Sequence, residues 1–168
     1  MDKIMVRNAV EGDFQAISDL ALNCSPMITE RNSIYHIFTK FFQNTVFIAE
    51  IEDEKQIKRA IGFLIGFISQ KNKEDAYIHL LCVHPSCRGM GLATDLIKNF
   101  LKVVIEMGCK RVYLITKPVN KTAIDFYTRM GFKKNYGYKT DTIDGEELVK
   151  DYNGKGEHMI VFQKFLSD

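Results

Sequence analysis

The residues best suited to chemistry lie in the run Val83-His84-Pro85-Ser86-Cys87-Arg88-Gly89-Met90-Gly91-Leu92-Ala93. Small residues at 89, 91 and 93 let the backbone turn sharply and bring successive N–H groups together. A helix starting there adds roughly half a positive charge at its N-terminus. The product is a cradle for an anion of phosphate or pyrophosphate type. Gly89-x-Gly91-x-x-Thr94 lacks the third glycine of the dinucleotide fingerprint. That fingerprint also asks for an acidic residue about twenty positions on, where this chain has Ile115-Thr116-Lys117. The Walker phosphate-loop pattern is absent. Taken alone, the two glycines also suit a plain tight turn.

A second group of residues lies in Asn120-Lys121-Thr122-Ala123-Ile124-Asp125-Phe126-Tyr127-Thr128-Arg129-Met130-Gly131-Phe132. On a helix, Asn120, Ala123 and Tyr127 return to one side, so an amide and a phenol point together. A tyrosine in such a pattern ordinarily packs in the core.

The elements around these runs follow from periodicity. Ile4 to Arg7 reads as a strand, and Asp13 offers an N-cap to a helix with Phe14, Ile17, Leu20 and Ala21 on one face. Ile34, Ile37, Phe38, Phe41 and Phe42 predict a second helix over 32–43. Val46 to Glu50, Ala60 to Ser69 and Ala76 to Val83 read as three antiparallel strands parted by charged turns. A helix from Leu92 to near Gly108 carries Leu96, Ile97, Phe100, Leu101 and Val104 inward. Val112 to Thr116 then makes a right-handed parallel crossover, so the sheet is mixed. A further helix runs from Pro118 to Gly131, and Met159 to Phe165 is the last strand; residues 140–157 stay unplaced. Without repeats or Pro/Ser-rich linkers, residues 1–168 read as a single domain.

Together, Arg88-x-x-Gly91-x-Ala93 and Asn120-x-x-Ala123-x-x-Phe126-Tyr127-x-x-x-Gly131-Phe132 resemble the two signature motifs of the GNAT superfamily of acetyl-CoA-dependent N-acetyltransferases. The resemblance implies an α/β (α+β) fold with a mixed, splayed sheet of six to seven strands and four helices. It places acetyl-CoA, as co-substrate, in a split between the strand ending at Val83 and that at Val112 to Thr116. The amides of Arg88, Gly89, Met90, Gly91, Leu92 and Ala93 would hold the pyrophosphate. The backbone around Cys82 and Val83 would pair with the pantetheine arm. Asn120 would touch the pantetheine or adenosine side, and Arg129 a coenzyme phosphate.

Acyl transfer from a thioester to an amine needs an unprotonated nucleophile, a place for oxyanion charge and a proton for the departing thiolate. The Tyr127 phenol keeps its proton at neutral pH and is the expected acid. A backbone N–H near Cys82 is the expected oxyanion donor. An alkylamine with a pKa of ~10.4 is neutral only about once in 2,500 molecules at pH 7, so a base or water chain is required. His79 is the first candidate; its alternative is a satisfied sheet histidine, and Glu50 and His158 follow. His84 reads as structural. No residues form a metal-binding pattern, and Cys82, in a strand, reads as packing rather than as an acetyl carrier.

Residues 29–35 and 42–50 are similar to the corresponding stretch of diaminobutyrate acetyltransferases. This likeness implies a small amine or diamino acid as acceptor, beside the helix over 32–43. The alternatives are a protein N-terminal or lysine acetyltransferase, or a non-catalytic acyl-CoA binding module.

Composition narrows the partners. Twenty-three Lys and Arg against twenty-one Asp and Glu leave a net charge of +2, too little for a nucleic-acid footprint. The longest apolar run, Ala60 to Ile68, is about half a membrane span, so no membrane partner is expected. Cys24, Cys82, Cys87 and Cys109 have no disulfide or zinc spacing and read as reduced thiols of a cytoplasmic protein. Similar enzymes are often homodimers.

Overall fold

The computed structural model describes residues 3–24 and 32–166. Pro26 and the 29–31 part of the diaminobutyrate-like stretch lie outside the described residues. The chain runs β1 (Lys3–Asn8), α1 (Phe14–Ala21), α2 (Asn32–Phe41), β2 (Val46–Glu52), β3 (Lys58–Ile68), β4 (Asp75–Val83), α3 (Leu92–Glu106), β5 (Arg111–Thr116), α4 (Lys121–Arg129), β6 (Lys133–Lys134), β7 (Asp141–Ile143), β8 (Glu146–Leu148) and β9 (Ile160–Phe165). Seven strands form one sheet in the order β1-β2-β3-β4-β5-β9-β6, and β7 and β8 form a separate hairpin. The expected architecture is present.

Apolar side chains alternate along the strands and build a core on each face. On one face, Leu92, Leu96, Ile97, Phe100 and Val104 of α3 pack with Ile124 and Tyr127 of α4 over Ala76, Ile78, Val112 and Leu114. On the other, Ile17, Leu20 and Ala21 of α1 and Tyr35 of α2 cover Phe63, Ile65 and Cys82. Gly66 lets α3 come close: a Cβ there would lie 2.7 Å from the Tyr77 carbonyl and overlap Phe100.

Two irregularities open the sheet. The register between β3 and β4 shifts between Ile65 and Gly66, which face Leu80 and Ile78, so His79 is the extra residue of a β-bulge. Beyond it β4 and β5 part. Their parallel pairing covers only Asp75 with Arg111, Ala76 with Val112 and Tyr77 with Tyr113, leaving residues 78–83 unpaired on that edge. Arg111 pins the vertex, its Nε and a terminal NH2 donating to Asp75 at 2.9 and 3.1 Å.

Four expectations change. Cys24 and Cys82 are joined by a disulfide, with Cα atoms 6.0 Å apart, so four reduced thiols is corrected to two, Cys87 and Cys109. The docking of α1 on the sheet brings together cysteines that stand 58 positions apart. Asp13 precedes α1 as expected, but its carboxylate accepts from Arg7 and the Val10 amide instead of capping the helix. Asn120 is the N-cap of α4 rather than a residue of its face. Residues 140–157 contain the β7–β8 hairpin. Among the described residues, no helix is long and apolar enough to cross a membrane.

Candidate active site

The turn after β4 is built from three local devices. His84 accepts a hydrogen bond from the Ser86 amide at 3.3 Å and meets the Ser86 hydroxyl at 2.8 Å, which makes it structural, as expected. Gly89 and Gly91 have φ of +81° and +82°, which a β-carbon would strain, and open space surrounds the position of each missing Cβ. Gly91 then N-caps α3, whose fifteen residues aim their free first amides at the turn. A backbone surface open to a diphosphate results. Arg88 folds back, its Nε donating to the Val83 carbonyl at 3.4 Å.

The unpaired edge of β4 runs from the bulge at His79 to this turn. Cys82 and Val83 lie on it, so their backbone stands beside the cleft. The Cys82 side chain instead points to the α1 face and is tied to Cys24.

Asn120 Oδ1 accepts from the Ala123 amide at 3.2 Å, leaving its Nδ2 as the amide's outward donor. Tyr127 is 8% exposed, and its ring lies among Phe126, Phe132 and Phe162 at 5.3–5.7 Å. Burial holds its phenol well above the usual range, and the nearby Tyr77 phenol adds to this. The phenol therefore stays protonated at neutral pH and is a weaker acid than an exposed tyrosine. Tyr77 ends the paired part of β4, where its ring lies near Phe67 and His79. Arg129 is exposed in the last turn of α4.

The candidate bases separate. His79 stacks on Phe38 of α2 at 5.5 Å, on the α1/α2 face of the cleft. Glu50 is held by Arg7 through bonds of 2.9 and 2.8 Å and is occupied structurally. His158 accepts from the Asp151 amide within the loop after β8. Among the described residues, no three His, Cys, Asp or Glu gather as metal ligands.

Residue-type patterns alone pass over the phenols of Tyr77, Tyr113, Tyr138 and Tyr152. Tyr77 and Tyr113 are register partners at the vertex, while Tyr138 and Tyr152 meet edge to face at 5.9 Å. The alternation of β4 and β5 carries the signal for the first two; of the second pair, Tyr152 comes from the segment left unplaced and Tyr138 from just before it.

Comparison with known proteins agrees with this geometry. Residues 14–132 match the model of the Acetyltransferase (GNAT) family. An uncharacterized N-acetyltransferase of Methanocaldococcus jannaschii is 28% identical over 128 residues, 73% of this chain and 77% of that protein. An N-alpha-acetyltransferase of Arabidopsis thaliana is 36% identical over 75 residues, 43% of this chain and 40% of that protein. The diaminobutyrate acetyltransferase of Paenibacillus lautus, solved with L-2,4-diaminobutyric acid and coenzyme A, superposes with a TM-score of 0.72 at 17% identity, covering 100% of this chain and 99% of that one. That last likeness is one of fold. With the glycine turn, the parted strands and the family match in agreement, the chain belongs to the GNAT acetyltransferase family.

Proposed function

We propose that the protein moves an acetyl group from acetyl-CoA to a small primary amine by direct attack within a ternary complex. The observation that carries this reading is the open glycine turn at the end of the unpaired edge of β4, with the buried Tyr127 phenol as the proposed acid. Bound acetyl-CoA supplies an activated acyl group as a thioester.

The chain's own residues do the rest. Amides from Arg88 to Ala93 bind the diphosphate, with α3 adding its dipole. The backbone of Cys82 and Val83 pairs with the pantetheine arm as a neighbouring strand would, and a freed N–H of β4 receives oxyanion charge. Asn120 donates through Nδ2, and Arg129 meets a phosphate. His79, in the bulge, accepts the ammonium proton directly or through water. Tyr127 gives its proton to the departing sulfur and recovers one from the second proton that the nitrogen sheds as the amide forms, while the proton on His79 passes to solvent. Burial of the phenol makes complete transfer costlier than in water, so its contribution begins as a hydrogen bond that strengthens as charge builds.

A peptide α-amine is the competing acceptor, favoured by the Arabidopsis relative. Release of CoA thiol in the presence of diamino acids, polyamines and short peptides distinguishes them. Binding of CoA in calorimetry without thiol release from any amine would reduce the protein to an acyl-CoA binding module.

A further inference from the structure

One buried side-chain oxygen or nitrogen among the described residues has no hydrogen-bond partner: Gln163 Oε1. Gln163 is 3% exposed. Its Nε2 donates to the Tyr136 carbonyl at 2.7 Å, which fixes the amide's orientation, since the reverse would set two oxygens together. A buried carbonyl without a donor is rare and destabilising, and points to a donor that arrives from outside.

The position of this oxygen is informative. Gln163 on β9 is the register partner of Tyr113 on β5, which is in turn the register partner of Tyr77 at the vertex. The neighbours Phe162 and Lys164 face the other way, toward Tyr127 and the Met130 carbonyl of the α4 side. Gln163 therefore shares the α1/α2 face with His79 and the vertex phenols. Burial, a hydrogen bond to Tyr138 and the nearness of Tyr77 and Tyr113 together push the Tyr152 phenol up to about 12, so it stays neutral beside them. The charged pair against this cluster, Asp75 and Arg111, is spent on itself. Arg111 also lies 4.5 Å over the Tyr113 ring, so one phenol face here already holds a cation.

Resting on the acetyltransferase reading, we propose that Gln163 Oε1, with the rings of Tyr113, Tyr138 and Tyr152, binds a second, ammonium nitrogen of the acceptor. The acceptor is then a diamine or polyamine whose other amine attacks the thioester. An alkylammonium brings the N–H donors that the orphan oxygen lacks and a positive charge that ring faces attract.

The test compares 1,4-diaminobutane with n-butylamine on the full-length protein. The diamine is expected to be the better substrate in kcat/KM by about tenfold. Gln163→Leu keeps the volume, removes the oxygen, and is expected to raise KM for the diamine about tenfold more than KM for the monoamine. Tyr152→Phe keeps the ring and the preference, whereas Tyr152→Ala loses it; this pair serves if Gln163→Leu does not fold. Equal use of the two amines overturns the proposal. So does an equal effect of Gln163→Leu on both, or a short peptide preferred over the diamine. If CoA binds but no amine is acetylated, the catalytic reading fails. The subsite is then still tested by titrating 1,4-diaminobutane against the emission of the seven tyrosines, undisturbed because the chain has no tryptophan; no change overturns it.

Discussion

The two mouths of the parted sheet are made of different material. On the coenzyme side the groups on offer are main-chain N–H donors, from the turn at Gly89 and Gly91 and from the free edge of β4. On the α1/α2 side they are side chains: His79, four phenols and a glutamine amide, drawn from β4, β5, β9 and the loops around the β7–β8 hairpin. A main-chain site recognises whatever shape the backbone holds and survives most side-chain changes. A side-chain site can be rewritten one residue at a time. Such an arrangement suits an enzyme that keeps one donor and varies its acceptor.

This contrast can be broken at defined points. Tyr127 is the proposed acid, so Tyr127→Phe should lower turnover by about 10²–10⁴-fold while coenzyme affinity, read by calorimetry, stays nearly constant. Unchanged turnover removes the phenol from its role. The Cys24–Cys82 disulfide closes a loop spanning 58 positions. Its reduction should cost about 4 kcal/mol of stability in chain-entropy terms, seen as a lower denaturant midpoint with and without reductant. An unchanged midpoint means the cross-link constrains little.

Gly91→Val tests the main-chain mouth alone. Forcing a β-branched residue to φ near +82° should weaken CoA binding by about tenfold to a hundredfold and leave acceptor KM in place. A rise in acceptor KM instead would merge the two mouths. The smallest effect concerns pH. Burial raises Tyr77 to about 12, and burial with the Tyr138 hydrogen bond raises Tyr152 likewise, above their unfolded value of 10.0. The unfolded chain therefore loses these protons first. Stability is intact below pH 10 and should fall as pH rises from 10 toward 12, together with the appearance of tyrosinate absorbance.

The difference between the mouths also decides what the amino-acid order reveals. The glycine turn is local, eleven consecutive residues between a strand and an amphipathic helix, and both flanking periods are strong. Six of the seven strands of the sheet, all but the two-residue β6, and the four helices are legible for the same reason. Asn120 shows the limit of a face argument: offsets of three and seven hold only inside a helix, and an Asn at its start prefers to cap it. Asp13 has the capping residue type but is claimed by a guanidinium six positions earlier. The proposed acceptor subsite joins residues as far apart as Tyr77 and Gln163, and nothing local marks them as neighbours. The hairpin is short and polar, so its pairing depends on anchors elsewhere. Glu146 ties it to Lys121 on α4 and to Lys134 on β6, and these ammonium groups hold its carboxyl below the ordinary range.

The three-rung pairing of β4 with β5 carries a consequence for solvent exchange. Amides between residues 78 and 83 that face the gap have no strand across from them. Their hydrogens should trade with deuterated water quickly in the free protein, while those on the β3 side stay protected. A pantetheine chain laid along that edge would act as the missing strand and slow them, giving a footprint of the bound coenzyme along one side of a single strand.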